Sequence, residues 1–447
     1  MRSCFYIDFK WLWLKPFIFL LILGGMFQCT PSENKEDQQI RELLMTWNRL
    51  LLDLERFTPG YHAPSSARMF AYISMAAYEA SLPGNSGYAS LEQKIAPGYT
   101  PLKWENQQQQ FCVLASINAA YRTITPLFFP NAPKELKAQI NTTAELFVFQ
   151  HKQQDCSAST LFGQKTAAAV WQYALLDGKE THGGSDCPFQ NYAIKTIDST
   201  FQLDQDHPVA PLVPYWGCIR PLVVAIKDIT PIPPPIFSEK VNSAIHTQAM
   251  EVFSASQPLS KENQWIAEFW SDDVAGLTVT PSGRWISIAT QAIEQQCPSW
   301  PFTLETYLRT SIALNDALII CWYLKYNYNL ERPQTYISRV IHPDWQSYMD
   351  APPFPAYPAG HATLSAAAAE ALTGLFGDPF TLCDATHKGR KEFAGMPRTF
   401  PSFRAMASEN SFSRLLTGVH FRIDCEEGMR LGTEIGKKVA NLQISSN

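Results

Sequence analysis

Apolar residues recur at three- and four-residue intervals through most of this 447-residue chain, and two-residue alternation is scarce. Residues 36–55 (EDQQIRELLMTWNRLLLDLE) carry the periodicity of an amphipathic helix. Stretches 64–82, 108–123 and 160–177 show the same character, rich in Ala, Met and aromatic residues. Helical patterns resume at 238–253, 260–270, 284–296, 303–327, 361–375 and 425–442. Between them lie a polar loop, 178–190, opened by Gly178 and the Gly183–Gly184 pair, and a Pro-dense stretch, 205–237. The latter contains PIPPP at 232–236 and reads as an extended connection. The pattern predicts an all-α protein whose helices pack as bundles joined by long Pro-rich loops.

The N-terminus breaks that pattern. Arg2, Lys10 and Lys15 precede the apolar run PFIFLLILGGMF, which is too short to span a bilayer comfortably and has the layout of a signal peptide. Cys29 follows, ahead of a polar stretch. Residues 1–28 are therefore expected to be a lipoprotein-type leader, with lipid attached at Cys29 and the protein exported to the periplasm or cell surface of a bacterium. Residues 29–40 are expected as a polar linker and 41–447 as the catalytic domain. A net charge of −5, with no basic tail or stripe, argues against nucleic-acid binding. Beyond Cys4 and Cys29 the remaining cysteines show no CxxC pair and no zinc-site spacing. Export permits disulfides among them without revealing the pairing. Cys321 and Cys425 lie in apolar helical contexts, as buried free thiols do.

Three stretches carry candidate chemistry: KYNYNLERP at 325–333, PAGH at 358–361 and SRLLTGVHFRID at 413–424. Lys325 and Arg332 are seven apart, so on one helix they would fall about 20° short of two full turns and share a face. Pro333 would end that helix. The PAGH turn opens an Ala-rich helix whose first free N–H groups, at Gly360, suit an anion, with His361 beside it as acid–base. His420 and Asp424 are four apart, so the carboxylate can fix the imidazole tautomer and leave Nε2 as an electron-pair donor. Gly418 can supply the bend that brings Arg414 toward His420. Taken alone, the first two stretches read more readily as a solvated basic face and a helix-capping His, and the third can be a surface His–Asp pair. Together they supply three permanent cations, free N–H groups and two imidazoles, the inventory of a site for a compact tetrahedral oxyanion such as phosphate or vanadate.

These motifs resemble those of the vanadium-dependent haloperoxidase and type 2 phosphatidic acid phosphatase superfamily. The family signature Lys-x6-Arg-Pro matches at Lys325, Arg332 and Pro333, and Ser-Arg-x5-His-x3-Asp at Ser413, Arg414, His420 and Asp424. Pro-Ser-Gly-His matches except that Ala359 replaces Ser. SSARMFAYISMAAYEA at 65–80, PYWGCIRP at 214–221 and FWSDDVAGLTVTPSGRW at 269–285 also resemble family segments, and PPFPAYPAGHAT at 352–363 resembles soluble chloroperoxidases. The resemblance implies an all-α fold of two four-helix bundles. It also implies oxyanion binding by Lys325, Arg332, Arg414 and the Gly360 N–H, with His420 as axial vanadium ligand or phosphate-accepting nucleophile. His361 would be the acid–base, Asp424 the residue that orients His420, and Ser413 a support for Arg414. Trp322 and Phe354 would flank a halide site, and Asp273 would pair with an anion-binding Arg.

Three functions follow from these expectations. In the first, halide is oxidised by hydrogen peroxide at a vanadate cofactor. In the second, a metal-free acid phosphatase hydrolyses phosphate esters through a phosphohistidine, with no cofactor. The third is a non-enzymatic phosphate- or head-group-binding lipoprotein. Ala359 removes one hydrogen bond to a charged oxygen, worth roughly 1.5–3 kcal/mol, which weakens vanadate retention about tenfold or more. It leaves the nucleophile and the acid untouched, and so keeps the phosphatase reading open.

Overall fold

The computed structural model describes residues 34–105, 110–148, 155–194, 200–202, 210–256, 258–272, 274, 276–392 and 395–445. The leader with Cys29, and Asp273, lie outside these residues. Helices α1 (Lys35–Phe57), α2 (Ala63–Ser81), α3 (Val113–Phe128), α4 (Lys134–Val148) and α5 (Ser157–Leu175) come first. Helices α6 (Ala244–Ala255), α7 (Lys261–Phe269), α8 (Pro281–Gln296), α9 (Trp300–Tyr328), α10 (Pro333–Val340) and α11 (Gly360–Phe376) follow. A hairpin of β1 (Leu382–Asp384) and β2 (Arg398–Phe400) precedes α12 (Phe403–Leu416) and α13 (Arg422–Ala440). The all-α expectation holds, and each predicted helix is present.

Three helices add to those expected. α10 is only eight residues long, and α4 and α12 have mixed polar faces that weaken the periodic signal. Helix α1 starts inside the stretch expected as a linker, because Asn34 caps it by accepting a hydrogen bond from the Glu36 N–H at 3.2 Å. Ile40, within that stretch, is already in the core.

Packing falls into two groups. Helices α2, α3, α4 and α5 pack on one another, and so do α9, α11, α12 and α13, with α9 also lying along α2. The tightest pairing, α11 on α13, depends on small residues. A Cβ added at Gly432 would fall 2.1 Å from the Thr363 carbonyl oxygen, and one at Gly436 2.4 Å from that of Ala367. This close approach sets the start of α11 beside the start of α13, where the candidate motifs meet. Disulfides Cys112–Cys156 and Cys187–Cys218 fasten the connections around the first group. Cys321 and Cys425 are buried free thiols, as their apolar contexts indicated.

Candidate active site

Lys325 and Arg332 do not share a helix. Helix α9 ends at Tyr328, where Asn329 takes a left-handed conformation (φ 53°) that closes the last turn. Arg332 is the N-cap of α10, and Pro333 starts that helix instead of ending the previous one. The two cations converge because the chain reverses between them. Both reach the loop before α11: Lys325 Nζ donates to the carbonyls of Pro355 (2.8 Å) and Ala356 (2.9 Å). Arg332 Nε donates to that of Phe354 (2.9 Å). The Phe354 ring lies between them, 5.0 Å from Lys325 Nζ and 4.8 Å from Arg332 Cζ. Trp322, one turn before Lys325, packs on Phe354 with ring centroids 5.0 Å apart.

The same loop delivers the start of α11. Ala359 is its N-cap, with no side-chain cap, and its own N–H donates to the Asp424 carbonyl at 2.8 Å. Gly360 and His361 occupy the first turn, where backbone N–H groups have no acceptor within the helix. A Cβ on Gly360 would sit 3.6 Å from the Trp322 ring and 3.9 Å from Lys325 Cε, so this face of the turn abuts the cation and the indole. His361 Nε2 is buried with no hydrogen-bond partner among the described residues.

The third motif forms the turn between α12 and α13. Gly418, at φ 78°, makes the bend. Arg414, in the last turn of α12, donates from Nε to Ser413 Oγ (2.9 Å) and from Nη2 to the Trp270 carbonyl (2.7 Å). His420 precedes α13, and its Nδ1 lies 3.1 Å from Asp424 Oδ2, which also accepts the Phe421 N–H at 3.0 Å. Arg332 Nη1 sits 3.1 Å from His420 Nε2. A guanidinium only donates, so Nε2 is the acceptor and the imidazole proton is on Nδ1, bonded to Asp424. The His–Asp pair is thus buried, in the tautomer that leaves a lone pair on Nε2. Arg332 Nη2 is buried with no partner among the described residues.

Trp322, Phe354, Gly360, His361, Arg414 and His420 line one cavity of about 30 Å³, room for a compact ion or one or two waters. Arg414, in its lining, is 5 % exposed, and Lys325 (0 %) and Arg332 (2 %) are buried against the lining residues Phe354 and His420. Placing three like charges where water cannot screen them costs several kcal/mol per ion unless an anion sits among them. Burial, followed by the Arg414 charge, holds the His361 imidazole well below its ordinary range, and burial with Arg332 does the same to His420. Both rings are neutral at physiological pH. Burial also pulls Lys325 down to about 7 and pushes Asp424 up to about 7.

Only charged Lys325 attracts an anion, and a bound anion raises its pKa. Affinity for inorganic phosphate should therefore fall as pH rises above about 7, by up to about tenfold per unit. Calorimetric titrations from pH 6 to 9 test this against Lys325→Arg, which stays charged and shares the ligand's own titration. A wild-type profile that overlays the variant would refute the role.

Asp272, in the same SDD run as Asp273, was not singled out from the sequence and is buried in the fold. The Arg284 guanidinium, 3.3 Å away, holds Asp272 down at about 2 against the effect of burial. His387 Nε2 lies 2.7 Å from the same oxygen. The carbonyls that aim Lys325, Arg332 and Arg414 were equally invisible, since backbone groups carry no residue signature.

A helical fold with two histidines and three buried cations at the ends of its second bundle defines a class. The chain is similar to that class: part of its second half matches a vanadium-haloperoxidase family model, and its fold is similar to those of solved vanadium-dependent haloperoxidases. A family model described as the VCPO second helical-bundle domain matches residues 305–446. The fold matches a bacterial vanadium-dependent iodoperoxidase at 26 % identity and a TM-score of 0.81, over 91 % of this chain and 98 % of that one. It also matches a bacterial vanadium-dependent chloroperoxidase at 16 % identity in holo (TM-score 0.64) and apo (0.65) forms. Those two matches each span 85 % of this chain, and 92 % and 94 % of the chloroperoxidase chain. No curated protein sequence matches.

Proposed function

We propose that this protein oxidises halide with hydrogen peroxide at a vanadate held by His420. The observation that carries the reading is what meets at one small cavity: the Nε2 lone pair of neutral His420, approached by Arg332 Nη1, and His361 Nε2, buried with no partner among the described residues. Arg332 Nη2, on the guanidinium that touches His420, likewise has no partner among the described residues. This donor set fits a compact tetrahedral oxyanion, which His420 Nε2 would hold. When bound, vanadate would supply Lewis acidity for the oxidation of halide by peroxide.

The chain's own residues do the rest. Asp424 keeps the proton on His420 Nδ1, so that Nε2 presents its electron pair. Lys325, Arg332 and Arg414 would neutralise the charge of a bound oxyanion, and the Gly360 N–H would add a dipole at a helix start. Neutral His361 can take a proton at Nε2 from an incoming peroxide. Trp322 and Phe354 form an apolar wall that strips water from an approaching halide. The similarity to an iodoperoxidase makes iodide the first halide to test.

A phosphatase would use the same groups, with His420 attacking phosphorus and His361 protonating the leaving oxygen. Ala359 favours that reading. The depressed pKa of His361 disfavours it, because a neutral imidazole is a poor acid at neutral pH. The purified protein should oxidise iodide with peroxide only when vanadate is present. Hydrolysis of an aryl phosphate that vanadate inhibits, with no halide oxidation, would overturn the haloperoxidase reading.

Ala359 has a second consequence visible only in the fold. As N-cap it leaves the first-turn N–H groups of α11 without a side-chain acceptor. In Ala359→Ser the hydroxyl oxygen would accept one of them while its proton points to the anion. We expect the metal-free variant to be about 1 kcal/mol more stable and to bind vanadate about tenfold more tightly. Thermal melts and vanadate titrations measure the two effects separately. Unchanged vanadate affinity would remove Ala359 from the anion site.

A further inference from the structure

Among the residues lining the cavity, Leu212, Pro352 and His361 alone are not buried, so they mark its mouth. Two strands of loop bound that opening, and they are tied together: the Leu212 N–H donates to the Pro353 carbonyl at 2.9 Å. The Leu212 carbonyl accepts from Trp322 Nε1 (3.2 Å) and from Tyr326 Oη (2.8 Å), which fixes the strap against α9. Val213 follows in a left-handed conformation, φ 38° and ψ 62°. A β-branched residue is rarely found there and stays only where its surroundings over-determine it. The chain then enters a short 3₁₀ turn, Pro214–Cys218, closed by the Cys187–Cys218 disulfide. Gly217 in that turn lies so near α9 that a Cβ would fall 2.3 Å from the Tyr323 Cα. The strap is thus anchored along its length, and the Leu212 side chain is held over the entrance.

We infer that Leu212 is a specificity-determining residue of this site. It closes the mouth to any oxyanion or peroxide that carries an organic substituent, while compact inorganic species pass. The inference rests on the oxyanion reading and deepens it. The cavity of about 30 Å³ takes a tetrahedral anion and leaves no space for an aryl ring. Pro352 is a rigid ring and His361 is fixed in the first turn of α11, so of the three residues at the mouth the side chain at 212 is the one whose size a substitution can reduce without touching either. Leu212 contributes no polar side-chain atom, and its tie to Trp322 uses the backbone, which substitution leaves in place.

The test uses the metal-free protein with inorganic phosphate and phenyl phosphate, titrated by calorimetry. The two probes share the charged head and differ in the ring. Wild type should bind phosphate at least about tenfold more tightly than phenyl phosphate. Leu212→Ala should reduce that ratio to within about twofold by gaining affinity for phenyl phosphate, with phosphate affinity little changed. Leu212→Val, a smaller excision, should give an intermediate ratio and serves if the alanine variant does not fold. Equal binding of the two probes by wild type, or the wild-type ratio in the folded variants, overturns the inference and leaves the oxyanion site standing. Failure of wild type to bind either probe overturns the oxyanion reading itself, and this inference with it.

Discussion

His420→Ala should lose halide oxidation by at least about a thousandfold in kcat/KM and should retain no vanadate after gel filtration. The imidazole Nε2 is the lone pair that Asp424 fixes and that Arg332 Nη1 approaches at 3.1 Å. No other side chain described in the cavity offers a neutral nitrogen donor held this way. Removing the ring also costs Arg332 Nη1 and Asp424 Oδ2 one hydrogen bond each, so some loss of stability accompanies the loss of function. Vanadium content per protein, measured alongside steady-state iodide oxidation, separates the two effects. A variant that keeps more than a tenth of the wild-type rate, or binds vanadium stoichiometrically, would remove His420 from the proposed role.

Asp424→Asn should be nearly as damaging while leaving the fold intact. Asparagine is isosteric, but Asp424 Oδ2 faces both the Phe421 N–H, at 3.0 Å, and His420 Nδ1, so an amide N–H₂ in that place gives up the Phe421 bond. Its amide would turn its N–H₂ toward His420 Nδ1 and drive the imidazole proton to Nε2. That nitrogen would then face Arg332 Nη1, donor against donor, with no lone pair for the anion. In catalytic triads the same tautomer error costs about 10⁴-fold in kcat, and a loss of about 10³- to 10⁴-fold is expected here. The readout is kcat/KM for iodide together with the melting temperature. Activity within tenfold of wild type would show that burial, and not Asp424, sets the tautomer.

Much of this site was legible as residue types. The Lys-x6-Arg-Pro spacing named both cations but suggested the wrong local structure. Asn329 in its left-handed cap and Pro333 at a helix start are signals for a helix break between them, and their sense emerges once the chain is seen to reverse. The His420–Asp424 spacing pointed to a hydrogen bond that is present, although His420 stands just before α13 and not inside a helix. Gly418 does make the turn that joins Arg414 to His420. Asp272 and the strap at Leu212 had no such signature, because their roles depend on which irregular segment lies across the cavity.

Local patterning by itself determined most of the helices, their polar and apolar faces and the chemical inventory of the site. Those follow from interactions within a few residues, which the chain specifies wherever its neighbours lie. Three further properties were left to the tertiary structure. One is the burial of Lys325, Arg332 and Arg414 around one cavity; another is the protonation of two neutral imidazoles. The third is the width of the entrance under Leu212. Each depends on the exclusion of water by segments distant in the chain, and desolvation is a property of the packed assembly and not of any one stretch of sequence.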